Sequence, residues 1–446
     1  MRRSFSYQSR VLGAVTAALL LLGTAACGKD SNDKKAAPAG TAAGGAFNWQ
    51  KHDGKTLTLM FSKHPWSDAI TPLLGDFTAK TGIKTKVESL PEAQFRQRVQ
   101  VEMTGKSDVI DVFMTAGQNE GAKFAKNGWY EPLDGYLADT SKVAPDYAAA
   151  DLSPGVLTGL TFGKKLTALP ISLEVEMLYY NKRLFKDAGV SVPTTYDELL
   201  DVAAKLDNKG GARAIALRGK GAASVTQFSA FLFGQGATWT EQSGKAAFAT
   251  PEGVKAFETY GKLAREYGPP GAINRSWEEG LPMFQQGQVA MWIDAGAFMP
   301  KVMDKAASKV VEDVGFAPMP TGPGGAVQAY NGWGIGMSPF SKNKDAAWYF
   351  MQWATSPEIV GKITEAGIPG GRTSATFGPR FPADWVQTYT KAIGEARPQL
   401  PAVVSVGESR DAIGAAVVAA IEGKPVEPAV KKAETEFNRI VETAGG

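Results

Sequence analysis

The sequence predicts an α/β protein built as two lobes, and three observations carry that expectation. Strand-like and helix-like apolar patterns alternate in strict succession from Leu57 onward. Some 400 residues follow a polar stretch near the start, and 44% of the 446-residue chain is apolar, which suits two ordinary cores better than one. The single cysteine, Cys27, excludes a disulfide framework, so the fold must stand on packing.

Residues 1–26 read as a removable signal peptide: Arg2, Arg3 and Arg10 precede an apolar run from Val11 to Leu22. That run falls short of the roughly 20 apolar residues a membrane span needs, and it ends in the small residues Gly23, Thr24, Ala25 and Ala26. Cys27 then stands where a lipoprotein signal peptidase would leave a new N-terminus, so it is expected to be lipidated and to hold the protein at the outer face of the cell membrane. Thr24 departs from the Leu, Val or Ile usual three residues before such a cysteine. Arg2, Arg3, Ser4 and Phe5 fit a twin-arginine export signal as well as an ordinary secretory one.

Residues 27–46 are mostly Gly, Ala, Ser, Asp, Asn and Lys and form an expected tether, about 25 Å long as a flexible coil. Without the three leader arginines, 45 basic residues balance 45 acidic ones. A neutral chain of this kind gives no support for nucleic-acid binding, which needs a concentrated basic surface.

Beyond the tether, Leu57–Phe61 reads as a buried strand. Ile70, Leu73, Leu74 and Phe77 recur at helical spacing before Gly82. Ile83, Thr85 and Val87 form the next strand, Phe95, Val99 and Met103 another helix face, and Val109–Phe113 a third strand. This succession implies a mostly parallel sheet whose ligand gathers beyond the carboxyl ends of its strands, where the loops Ser62–Trp66 and Thr115–Asn119 lie. A second region begins near Leu169 with the strand-like Glu174–Tyr180. Thr195 with Glu198 forms a capping box, Thr250–Pro251 and Ser356–Pro357 open further helices, and Gln288–Ile293 is again a strand. The tail from Arg410 to Val441 holds two helical stretches separated by Pro425 and Pro428.

The stretch Pro170-Ile-Ser-Leu-Glu-Val-Glu-Met-Leu-Tyr-Tyr-Asn181 resembles the crossing strand of bacterial family 1 extracellular solute-binding proteins, the carbohydrate-binding partners of ABC importers. Phe284–Phe298, Asn331-Gly332-Trp333 with the helix Lys344–Ala354, and Gly367–Ser374 agree in the same order. The resemblance implies a two-lobe, type II periplasmic-binding-protein-like fold closing like a hinge over a ligand cleft. Its lobes would be residues 47–169 with 316–367 and residues 170–315 with 368–446, the chain crossing back near Val314–Phe316 and again near Ile368. It implies an extracytoplasmic receptor for a sugar or sugar alcohol, monomeric, docking on ABC permease subunits with a cytoplasmic ATPase, with no cofactor, no metal and no catalysis.

Sugar recognition needs planar donors and acceptors for hydroxyls and aromatic faces for rings. By the resemblance, Glu174 is the carboxylate that bonds a ligand hydroxyl, and Glu176, on the same strand face, ranks below it. Asp294 matches a cleft-facing polar position and equally suits a helix cap. Trp333, between Gly332 and Gly334, offers a ring platform, with Asn331 beside it, and Trp66 has a similar case. Arg372 suits adjacent hydroxyls. Gln118, Asn119 and Gln227 are candidates on position alone. Tyr179 and Tyr180 also mark ferric-ion binders of similar architecture, but strand packing explains them. A secreted, lipid-anchored carbohydrate-active enzyme or a sensor module is the alternative, although His52 and His64 lack His-Glu-x-x-His spacing and no Gly-x-Ser-x-Gly pattern occurs.

Overall fold

The computed structural model describes residues 47–325, 327–394 and 396–444. Cys27, the leader and the tether lie outside the described residues. Three parallel strands, β1 (Thr56–Ser62), β2 (Lys84–Leu90) and β3 (Val112–Ala116), open the fold with β1 in the middle. Helices connect them: Leu74–Thr81 ends at Gly82, whose φ of 71° lies in the left-handed region that favours glycine, and Glu92–Thr104 buries Phe95, Val99 and Met103.

The long β4 (Ala168–Asn181) follows, then β5 (Arg213–Ala216), β6 (Val289–Ala295), β7 (Val314–Ala317), β8 (Gln328–Met337) and β9 (Ala396–Pro398). The sheet order is β2-β1-β3-β8-β4-β6-β5, with β7 also on β4 and β9 on β8. The sheet is mixed rather than mostly parallel. β1 with β2 and β3, and β5 with β6, are parallel, whereas β3–β8, β8–β4 and β4–β6 are antiparallel. The reason is that β4 and β8 carry the chain between the lobes in opposite directions and lie side by side.

Two cores flank that pair. One gathers Leu59, Phe61, Phe77, Phe113, Trp348 and Trp353, and the other is built in two parts, around Phe228, Phe257 and Tyr260 and around Tyr179, Trp292 and Trp385. β4 gives Leu169 and Ile171 to the first core and Val175, Met177 and Tyr179 to the second. β8 gives Ala329 to the second and Trp333, Ile335 and Met337 to the first. The passage expected near Val314–Phe316 is therefore made by β8. β7 instead pairs with the end of β4, and its Phe316 packs on Tyr179 at 5.3 Å between ring centroids. Near Ile368 the chain passes β4 again, Gly370 bridging to Ser172. The Thr195–Glu198 capping box is formed, while Pro428 lies inside the final helix, Val426–Ala444, at its third residue, where proline costs no internal hydrogen bond.

The glycines beside Trp333 serve packing rather than ligand approach. A Cβ on Gly334 would stand 2.7 Å from Leu160 Cδ1, and one on Gly332 3.1 Å from Val156 Cγ1.

Candidate functional site

The carboxyl ends of β1, β3, β5 and β6 converge on a narrow cavity between the two cores, about 40 Å³ in volume. Lys63 and His64 enter it after β1, Asn119 after β3, Arg218 after β5, and Ala295 closes β6. β4 crosses the floor, presenting Glu174 and Glu176, two residues apart and so on one strand face. β8 adds Asn331 and Trp333, and Trp277 and Phe298 supply apolar wall from the second lobe.

His64 is fixed from both ring nitrogens. It caps the helix Pro65–Ile70, its Nδ1 accepting the Trp66 amide hydrogen at 3.1 Å, so the ring hydrogen lies on Nε2 and donates to Glu174 Oε1 at 2.7 Å. Both side chains are buried, and the bond spans 110 residues of sequence. Trp333 lies 5.0 Å from the His64 ring and under the Arg96 guanidinium at 5.1 Å. Arg96 in turn pairs with Glu92 and Glu120.

Behind the floor, Asp294 is fully buried and accepts two hydrogen bonds from Arg218, one from Nε at 2.9 Å and one from Nη2. Burial raises Asp294 and Arg218 pulls it down. Burial and then the charge of Asp294 push Glu176 up to about 8. The guanidinium touches Asp294 and not Glu176, so the proton the two carboxyls contend for belongs on Glu176.

Four of the nine sequence-derived ligand candidates line the cavity: Glu174, Asn119, Asn331 and Trp333. The other five do not. Asp294 lies behind Arg218 and reaches the cavity only through it. Trp66, 1% exposed, packs edge-on against Phe61 in the first core. Gln227 holds the loop after β5, its Oε1 accepting from the Arg218 amide and the Tyr260 hydroxyl. Gln118 Oε1 accepts the Gln399 amide hydrogen. Arg372 donates to the carbonyls of Tyr147, Ala148 and Thr355 and pairs with Asp151, so its guanidinium serves a turn of the first lobe. Tyr179 donates its hydroxyl hydrogen to the Ala295 carbonyl.

Sequence reasoning missed His64, Glu92 and Arg218. Pro65 was the available signal for His64: proline opens a helix at its first position, which makes the preceding residue the cap at the strand end. Nothing local marks Arg218, whose partner is 76 positions away.

Polar contacts at the rim join the two sides of the cleft. Lys301 meets Asp68 at 2.6 Å, Lys123 meets Glu408 at 2.7 Å, and the Gln399 amide meets Gln118 at 2.9 Å. Two lobes joined by crossing strands over a polar cavity define a ligand-binding receptor architecture. The chain belongs to the bacterial extracellular solute-binding protein family, whose model matches residues 34–360. It is similar to the mannitol-binding protein of Pseudomonas aeruginosa, 34% identical over 308 residues, 66% of this chain and 67% of that one. It is also similar to the erythritol/L-threitol-binding protein of Mycolicibacterium smegmatis, 28% identical over 423 residues, 89% and 88% of the two chains. Among solved structures, an ABC transporter solute-binding protein of Agrobacterium vitis S4 with bound D-mannitol superposes with a TM-score of 0.76 at 32% identity, covering 88% of this chain and 99% of its own. That of Agrobacterium radiobacter K84 in complex with ribitol gives 0.77 at 28% identity, covering 87% and 99%.

Proposed function

We propose that this chain is the extracytoplasmic receptor of an ABC importer, capturing a sugar alcohol or a small sugar between its lobes and delivering it to the membrane permease. One observation carries the ligand reading. Asn119 Oδ1, Asn331 Oδ1 and Glu176 Oε2 are buried oxygens of cavity-lining residues, and none has a hydrogen-bond partner. Leaving such groups unmatched costs about 1–3 kcal/mol each, and a ligand carrying several adjacent hydroxyls matches all three. Glu174 keeps Oε2 for a further hydroxyl while Oε1 is held by His64. The relatives that bind mannitol and erythritol or threitol, and the neighbours holding D-mannitol and ribitol, support the sugar-alcohol form of the reading.

In this reading β4, β8 and the segment near Ile368 form the hinge, and the Lys301–Asp68 and Lys123–Glu408 pairs help hold the closed form that the permease accepts. Acylated Cys27 and the tether of residues 27–46 would keep the receptor at the membrane; metabolic labelling with a fatty acid, lost in Cys27→Ala, tests the anchor. The ligand reading is tested by thermal shift across mannitol, ribitol, erythritol, glucose and maltose. A cognate ligand at about 100 times its dissociation constant adds roughly 2.7 kcal/mol of stability. A shift with an amino acid or peptide and none with any polyhydroxyl compound overturns it.

A further inference from the structure

We propose that Glu176, carrying its proton, is a ligand-binding carboxyl of the cleft floor that exchanges hydrogen bonds with one ligand hydroxyl, and that it limits tight binding to neutral and acidic conditions. The proposal deepens the polyhydroxyl reading above and rests on it. Glu174 and Glu176 share one face of β4 yet are placed in opposite circumstances. Glu174 has the His64 ring against it, whereas Glu176, 2% exposed, has a buried Oε2 with no partner.

The charged and titratable groups around Glu176 decide its form. Asp294 faces it from β6, Arg218 from the loop after β5, Glu174 and Tyr179 from its own strand, and Tyr260 from the helix Pro251–Glu266. Lys63, His64 and Glu92 line the cavity from the first lobe. The cation that acts on it, Arg218, is committed to Asp294 through two hydrogen bonds. Two carboxylates beside a single guanidinium cannot both ionise cheaply away from water, and the one without the fork keeps its proton. Burial followed by the Asp294 charge raises Glu176 in agreement with this placement.

A protonated carboxyl offers one O–H donor and acceptor capacity besides. A ligand hydroxyl is likewise both donor and acceptor, so it can accept the hydrogen from one carboxyl oxygen and donate its own to the other. A ligand there shields the carboxyl from solvent and favours the protonated form still more. Ligand therefore binds the acid form best, and affinity is full below the ionisation of Glu176 and falls as pH rises through it.

The test pairs wild type with Glu176→Gln, a neutral isostere that keeps a donor and an acceptor. In calorimetric titrations with D-mannitol, wild type is expected to bind about tenfold more weakly at pH 9.5 than at pH 7, while Glu176→Gln binds equally at both. A second readout needs no ligand. A carboxyl raised in the folded state costs stability as pH climbs from its unfolded value to its folded one, so the melting temperature of Glu176→Gln should gain on wild type from pH 5 to pH 8 and then level off. A constant gap in melting temperature, or an equal pH slope of mannitol binding in both proteins, overturns the proposal. An opening gap with no polyol bound at any pH upholds the proton on Glu176 and contradicts the ligand reading instead.

Discussion

The cleft floor at Glu174 and Glu176 and the turn at Arg372 both lie against β4, and both bury charged side chains, yet they are finished to different degrees. Arg372 donates to three backbone carbonyls and to Asp151, at distances from 2.6 to 3.3 Å, leaving no role for a further partner. On the floor, Glu176 Oε2 and the nearby Asn119 and Asn331 oxygens have none. Burial of charge alone thus does not distinguish a site from a brace. The floor is marked by unmatched oxygens gathered around one cavity, since single unmatched atoms also occur away from it, at Arg275, Tyr349 and Ser409 among others.

Substitutions on the two sides should separate along that line. Arg372→Ala carries the largest expected effect, a loss of about 3–5 kcal/mol in folding stability, because it strands three carbonyls and Asp151 at once. Chemical denaturation measures it. Ligand affinity of the folded fraction should stay within about twofold, and a selective loss of affinity would break the comparison. Glu174→Ala should act the other way, costing about 1.5–3 kcal/mol of binding, or roughly ten- to a hundredfold in Kd, since a charged acceptor for ligand is removed. Asn331→Ala and Asn119→Ala should each cost about 1 kcal/mol of binding by calorimetry.

The two regions should also titrate at opposite ends of the pH scale. Against the upward pull of burial, hydrogen bonds from Ser374, Thr373 and Arg372 hold Asp151 down to about 2. Its contribution is therefore present above its unfolded value near 4 and is lost as pH falls toward 2. Asp151→Asn should narrow its stability gap to wild type as the solution is acidified through that window. The smallest expected effect is at the rim. Lys301→Ala removes a partly exposed pair and should weaken binding by under about 1 kcal/mol, an effect that fades in high salt.

Much of the fold was legible because it is written locally. The apolar run of β1, Gly82 as a stop, and the Thr195–Glu198 and Thr250–Pro251 starts all depend on residues within a few positions of one another, whereas β3 begins three residues later than its expected start at Val109, which is exposed. The mixed order of the sheet was not, because the direction of β8 against β3 and β4 is a long-range choice. In the site, Glu174 was found through the resemblance of its stretch to a family crossing strand, Trp333 with Asn331 through the Asn331-Gly-Trp333 stretch, and Asn119 from its position after a strand. Trp66 was chosen where His64 is the cavity residue: the capping residue lines the cleft, and the residue two places into the helix packs back into the core. Asp294, at the end of β6, and Gln227, inside the helix Ala222–Gly234, show how a polar residue can act one layer behind the ligand, through Arg218. Only the pairing across 76 positions reveals that layer.

The claim on which the account turns is that the unmatched oxygens of the cleft belong to hydroxyls of a small neutral ligand. Calorimetric titration of D-mannitol, ribitol and erythritol into the purified protein at pH 7 tests it most directly. Saturable one-to-one binding of at least one of them, at micromolar Kd or about 8 kcal/mol, is the predicted result. Absence of heat with every polyol and sugar at millimolar concentration, from a protein shown to be folded, would contradict it.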